Sequence, residues 1–142
     1  MTQDLTQDHT TPQAIAAVIR RDDGRYLLIK RGPDLSAAGY WTTVTGKPEA
    51  GETLADTVRR EAAEEVGLSI TAGRELYRCY SHNQAWLIIW FETTLDDPTA
   101  AYQPLRVDTH EVADTRWVTA EQAAALSPMF DDTRRFFAKP ME

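Results

Sequence analysis

Residues 1–13 are polar, carry Asp4 and Asp8, and run into Thr11-Pro12, so they read as a frayed leader. The first apolar run follows at residues 14–19, Ala-Ile-Ala-Ala-Val-Ile, and is short and continuous enough for a buried strand. Asp22-Asp23-Gly24 is turn chemistry, and residues 26–29 make a second strand, so the two runs predict a hairpin. Gly32-Pro33 breaks the chain, and a loop holding Ser36, Gly39 and Tyr40 leads to a short strand at residues 41–44. The period then changes. Ala55, Val58, Ala62 and Val66 recur at helical spacing, with Thr53 and Asp56 as opening signals and Gly67 as a stop. Residues 77–80 and 85–93 predict further strands, and residues 96–110, with Pro98 and Pro104, predict a long irregular segment. Residues 116–118 predict a last strand. Thr119-Ala120-Glu121-Gln122 is a capping box for a helix through Leu126, and Ser127-Pro128 predicts the start of another carrying Phe130, Phe136 and Phe137.

The resulting order, β-β-β-α-β-β-β-α-α, predicts an α/β or α+β sandwich, with helices on a mixed sheet. A chain of 142 residues suits one domain, expected over residues 14–142. Charge refines the picture: 15 Lys and Arg against 22 Asp and Glu give a net −7, a poor footprint for a general nucleic-acid binder. The longest apolar run, residues 85–91, is far too short to span a bilayer, so no membrane partner is expected. Cys79 is the sole cysteine and excludes an intrachain disulfide; with no basic or apolar stretch behind Met1, a cytoplasmic location is expected.

Chemistry concentrates between Gly46 and Leu68. At about 100° per residue, Glu61, Glu64 and Glu65 occupy about 100° of the helix circumference, beside the apolar stripe. Carboxylates crowded in this way repel one another unless a hard divalent cation sits among them, and Mg²⁺ accepts carboxylate and phosphate oxygens together. Gly46 and Gly51 bracket a loop in which backbone can approach a ligand closely, just ahead of a helix N-terminus suited to phosphate. Arg60 is a fixed cation able to hold a carboxylate in a forked pair, with Glu52 the obvious partner. Three glutamates alone are normally a solvated face. The whole pattern weighs against that reading, since its identities recur by chance at on the order of 10⁻⁷.

This arrangement resembles the Nudix box, with Gly46, Glu52, Arg60, Glu61, Glu64, Glu65 and Gly67 matching and Leu68 as the closing aliphatic. Ala62 stands where a larger aliphatic is favoured, and Thr45 replaces a glycine that often precedes Gly46. The resemblance implies the Nudix αβα sandwich and hydrolysis of a phosphoanhydride bond in a nucleoside diphosphate linked to another moiety, assisted by Mg²⁺ or Mn²⁺. It further implies Glu64 and Glu65 as principal metal ligands, Glu61 as ligand or base, the Gly46 carbonyl as a ligand, Arg60 orienting a glutamate, and Glu52 supporting Arg60 or reaching the metal. Homodimers are common among such relatives.

Substrate choice is expected outside the box. Residues 40–46, with Val44-Thr45-Gly46, and the tail from Arg116 to Leu126 are similar to the dihydroneopterin triphosphate and dATP pyrophosphohydrolase branch. That implies a (d)NTP-like substrate split into monophosphate and pyrophosphate. Dinucleoside polyphosphate cleavage and a non-hydrolytic nucleotide-binding module are the alternatives, and isomerase chemistry on the same fold is a third. Lys47, inside the glycine loop, is read as a phosphate contact, Arg31 at the end of the second strand equally as a phosphate contact or an exposed basic strand end, and Tyr40 as a candidate base contact with packing as the plainer reading. Glu111 is a further candidate ligand or base; His82 and His110 lack obvious partners, and Cys79 reads as a buried small hydrophobe. Glu64→Gln or Glu65→Gln is expected to abolish Mg²⁺-dependent turnover with the circular dichroism spectrum retained. Near-normal activity in either variant would remove the assignment.

Overall fold

The computed structural model describes residues 10–139. Strands β1 (Gln13–Val18), β2 (Tyr26–Arg31), β3 (Trp41–Thr42) and β4 (Val44–Gly46) precede helix α1 (Leu54–Val66). Strands β5 (Ile70–Tyr80) and β6 (Leu87–Leu95), a 3₁₀ turn (Pro98–Tyr102), strand β7 (Val112–Val118) and helices α2 (Ala120–Ala125) and α3 (Asp131–Ala138) complete the order. The strands form a four-stranded sheet, β4-β1-β6-β5, and a three-stranded sheet, β3-β2-β7. Only β1 with β6 is parallel, so the larger sheet is mixed.

Strand β1 explains the layering. Ile15 and Ala17 pack with Val58, Ala62 and Val66 of α1, whereas Ala16 and Val18 join Trp90, Phe136 and Phe137 on the other side. Successive side chains of a strand face opposite ways, so a strand covered on both faces must be continuously apolar. The αβα sandwich expected from the sequence is the observed fold.

Several elements differ from expectation. The turn at residues 21–25 forms, with Gly24 N–H donating to the Arg21 carbonyl, but β1 and β2 do not make a hairpin ladder. They belong to different sheets, joined near the turn by the Arg20–Tyr26 bridge and the Leu27 N–H to Ile19 bond. Residues 41–44 are not one strand: buried Thr43 separates β3 from β4 and carries the chain from the smaller sheet to the larger. Strand β5 starts at Ile70, earlier than expected: residues 73–75 are exposed beside a bulge and break the burial pattern that would mark the strand. Pro128 does not open α3; its carbonyl accepts from Trp41 N–H, and the helix begins at Asp131 after Phe130. At the N-terminus, Gln13 already belongs to β1, and the rest of the leader expectation lies mostly outside the described residues.

Helix α1 is bounded by its own side chains. Thr53 and Asp56 form a reciprocal capping box, and Gly67 takes a left-handed φ of 71° while its N–H reaches the carbonyls of Ala62 and Ala63. A Cβ at Gly67 would also sit 3.0 Å from the Arg106 carbonyl oxygen. Gly67→Ala is therefore expected to destabilise the protein by about 1–2 kcal/mol, read as a lower urea midpoint at unchanged slope.

Candidate catalytic site at the glycine loop

The chain leaves β4 at Gly46, turns through residues 47–53 and enters α1, so the loop and the helix's acidic face adjoin. Arg60 fastens them together. Its Nε and Nη2 donate to the two Glu52 oxygens at 2.8 and 3.0 Å, and Nη2 also donates to the Lys47 carbonyl at 2.9 Å. Nη1 donates to Glu61 Oε1 at 2.6 Å and Glu64 Oε2 at 3.2 Å. Glu52 also accepts from Thr57 Oγ1 at 2.8 Å and from the Glu49 N–H at 3.0 Å. These donors, the Arg60 fork first, hold its carboxyl down at about 2. Arg60 is in turn held more firmly charged than a free arginine by Glu52 and then Glu61.

Gly46 sits beneath Glu61. A Cβ there would lie 2.2 Å from Glu61 Cγ, so only glycine lets that side chain cross the strand end. Glu65 is 5% exposed, and its Oε2 is buried without any hydrogen-bond partner. Burial pushes its carboxyl well above the ordinary range, and the hydrogen bond with Glu61 and the charges of Glu61 and Glu111 push the same way, with Arg31 opposing. The Glu64 side chain is 56% exposed. Glu61 and Glu64 lean onto Arg60, and among the described residues no three acidic, His or Cys side chains converge on one point.

Beside this cluster lies a cavity of about 420 Å³. Gly46, Lys47 and Arg31 line its end towards the carboxylates; Cys79, Trp86, Trp90 and Phe130 form walls, with Asp131 and Asp132 at the start of α3. The Lys47 Nζ lies 4.4 Å from the Trp86 ring centroid, and Arg31 Nε donates to the Ser36 carbonyl at 2.8 Å. Tyr40 departs from its expected place. It does not line the cavity, because its ring packs on Phe130 at 4.8 Å, one layer behind the wall. His82 is not isolated either, for it stacks on Phe130 at 5.0 Å and lines the cavity.

The NUDIX domain matches residues 10–139. The chain belongs to the NUDIX family. It is 34% identical to a CTP pyrophosphohydrolase from Escherichia coli over 90 residues, covering 58% of this chain and 66% of that protein. It is 32% identical to the NAD-capped RNA hydrolase NudC of Deinococcus radiodurans over 129 residues, covering 86% of this chain but 42% of that one. The chain thus spans less than two thirds of the length of these curated relatives. In fold it is similar to a MutT protein from Methanosarcina mazei, with TM-score 0.77, 23% identity and coverage of 93% and 95% of the two chains. A Caenorhabditis elegans Ap4A hydrolase superposes with TM-score 0.69 at 19% identity, over 91% and 94% of the chains.

Nudix hydrolases generally use divalent metals, and the residues present fit one. An orphaned, buried carboxylate oxygen on Glu65, two neighbouring carboxylates and the strand-end carbonyl of Gly46 are all hard oxygen donors. Glu61 and Glu64 each give one oxygen to Arg60, which also holds Glu52 and the Lys47 carbonyl. The cavity walls escaped sequence reading. Cys79, Trp90 and Phe130 look like core in isolation, and only the packing of α3 across β5 and β6 turns them towards one space.

A carboxyl with a raised folded-state value holds a proton that the unfolded chain releases, so it costs stability as pH rises above its ordinary value of 4.5. Without added metal, Glu65→Gln is therefore expected to melt a few degrees higher than wild type at pH 8, with little difference at pH 4. It is also expected to lose most of the Mg²⁺-induced rise in Tm. Differential scanning calorimetry with and without chelator reads both effects.

Proposed function

We propose that this chain is a metal-dependent pyrophosphohydrolase of nucleotides, cutting a phosphoanhydride bond between a nucleoside phosphate and its leaving group. The observation that carries the reading is the unpaired buried oxygen of Glu65 beside Glu61, with Gly46, packed under Glu61, and the cationic Lys47 and Arg31 lining a neighbouring cavity. Glu61, Glu64, Glu65 and the Gly46 carbonyl would hold Mg²⁺ or Mn²⁺. The chemistry supplied there is neutralisation of developing charge and acidification of bound water. Glu61, next to Glu65, would serve either as one of these ligands or as the base that takes the proton of the attacking water. Arg60 positions the cluster by holding Glu52 and the loop carbonyl. Lys47 and Arg31 bind phosphate oxygens at the cavity mouth, which is how a chain of net charge −7 accepts a polyanion. The cavity takes the nucleoside.

The finer reading is a (d)NTP-like substrate, a dNTP or dihydroneopterin triphosphate, giving monophosphate and pyrophosphate. The Val44-Thr45-Gly46 approach to the box supports it. A panel of NTPs, dNTPs, dihydroneopterin triphosphate, dinucleoside polyphosphates, NAD and NAD-capped RNA, assayed with Mg²⁺, tests the proposal. Triphosphates are expected to turn over best and to yield pyrophosphate rather than orthophosphate. Tight binding without hydrolysis across the panel would establish a non-catalytic binding module instead.

A further inference from the structure

The glycine loop and the β5–β6 hairpin tip, residues 81–86, leave the larger sheet at the same end. Strand β4 runs antiparallel to β1, and β1 pairs in parallel with β6, so Lys47 follows Gly46 towards the row of Ala14 and Ile88. Trp86 stands just ahead of Leu87, the first residue of β6. Two strand spacings, about 10 Å, separate β4 from β6. Lys47 and Trp86 both line the cavity, and the Lys47 Nζ lies over the Trp86 ring, 4.4 Å from its centroid. Both backbones are tied down: the Lys47 carbonyl accepts from Arg60 Nη2 at 2.9 Å, and the Trp86 N–H and carbonyl bond Ser81 at 3.1 and 2.8 Å. The lysine side chain is exposed and can move. In a chain of net charge −7 its ammonium makes no ion pair with any described residue. It rests on an indole instead, a contact that is weak where water reaches it. Two other rings of the wall are already packed. Phe130 carries Tyr40 at 4.8 Å and His82 at 5.0 Å, and Trp90 is buried against Phe136 at 4.9 Å. Trp86 is half-buried, and among the described residues no ring packs on it.

We propose that Trp86 is the stacking platform for the nucleobase, and that Lys47 passes from its ring to the phosphate chain when the substrate binds. A nucleotide carries both replacements, a flat ring for the indole face and an anion for the ammonium. The base gains contact by stacking, and the ammonium exchanges a ring for full negative charge. A nucleoside alone must displace the ammonium and offers it nothing in return. A triphosphate without a base draws the ammonium away and leaves the indole bare. Base and phosphate are therefore recognised together. This inference rests on the nucleotide reading above and names its base contact, and its test separates the two.

Lys47→Ala uncovers the indole, so it is expected to bind nucleosides better while binding nucleotides worse. Adenosine and cytidine are titrated into ¹⁵N-labelled protein and followed on the tryptophan indole N–H resonances. The Kd is expected to be about threefold lower in Lys47→Ala than in wild type, and about tenfold higher in Trp86→Leu. An unchanged or higher Kd in Lys47→Ala, or no binding of either nucleoside by that variant, overturns the proposal. Should Trp86→Leu fold poorly by Tm, Lys47→Ala decides alone. With Mg²⁺, the KM of ATP and CTP is expected to rise about tenfold in Trp86→Leu, with kcat within twofold of wild type. The KM of ribose 5-triphosphate, which has no base, is expected to stay level or fall. An equal rise for all three probes, or none for any, overturns the stacking role. The nucleoside pattern without any hydrolysis sinks the catalytic reading and keeps this one, and hydrolysis without that pattern does the reverse.

Discussion

One guanidinium sets the geometry on which the candidate site depends. Arg60 gives its Nε and both Nη groups to the Glu52 carboxylate, the Lys47 carbonyl, Glu61 and Glu64, so loop and helix are bound through a single planar group. Planarity matters, because a fork fixes direction as well as distance, which an ammonium group cannot do. Glu52 takes two of these bonds and is reinforced by the Thr57 hydroxyl and the Glu49 amide. Glu61 and Glu64 share the other nitrogen, with one oxygen each.

The scaffold brings this cluster to a cavity by covering the larger sheet on both faces. Helix α1 packs on one face and carries the acids; α3 packs on the other, and its first turn closes part of the cavity wall. Strand β1 runs between the two layers, paired with β4 on one side and β6 on the other. It therefore holds Gly46, at the end of β4, in fixed register with the strand that bears Trp90. The glycine loop and the cavity wall on β6 are thus related through strand pairing.

Features set by neighbours in sequence were legible. The cap of α1, its left-handed stop and the capping box of α2 are local hydrogen bonds, and each appears where its residues predict it. The acids on one turn of α1 were legible for the same reason. Strand pairing was not. Parallel pairing with β6, formed much later in the chain, takes β1 away from the hairpin partner its turn suggested. Edge residues of β5 hid because exposed positions need no pattern, and Pro128 misled because its carbonyl serves Trp41 instead of starting a helix. Site residues outside the box followed the same division. Lys47 and Arg31 do reach the cavity, Tyr40 stops one ring short of it, and Cys79 and Trp90 are ordinary core residues until three distant segments are assembled.

The hand-over at Thr43 gives the loop an unusual mechanical position. A single buried residue links the small sheet to the large one, and Gly46 lies three residues beyond it. Because pleating alternates at every step, inserting one residue at this junction would turn Gly46 upside down while leaving both sheets intact. Its carbonyl and the open space beneath Glu61 would exchange sides. Chain length between Trp41 and Gly46 is thus a constraint of its own, separate from the identity of any side chain, and point substitutions would not reveal it.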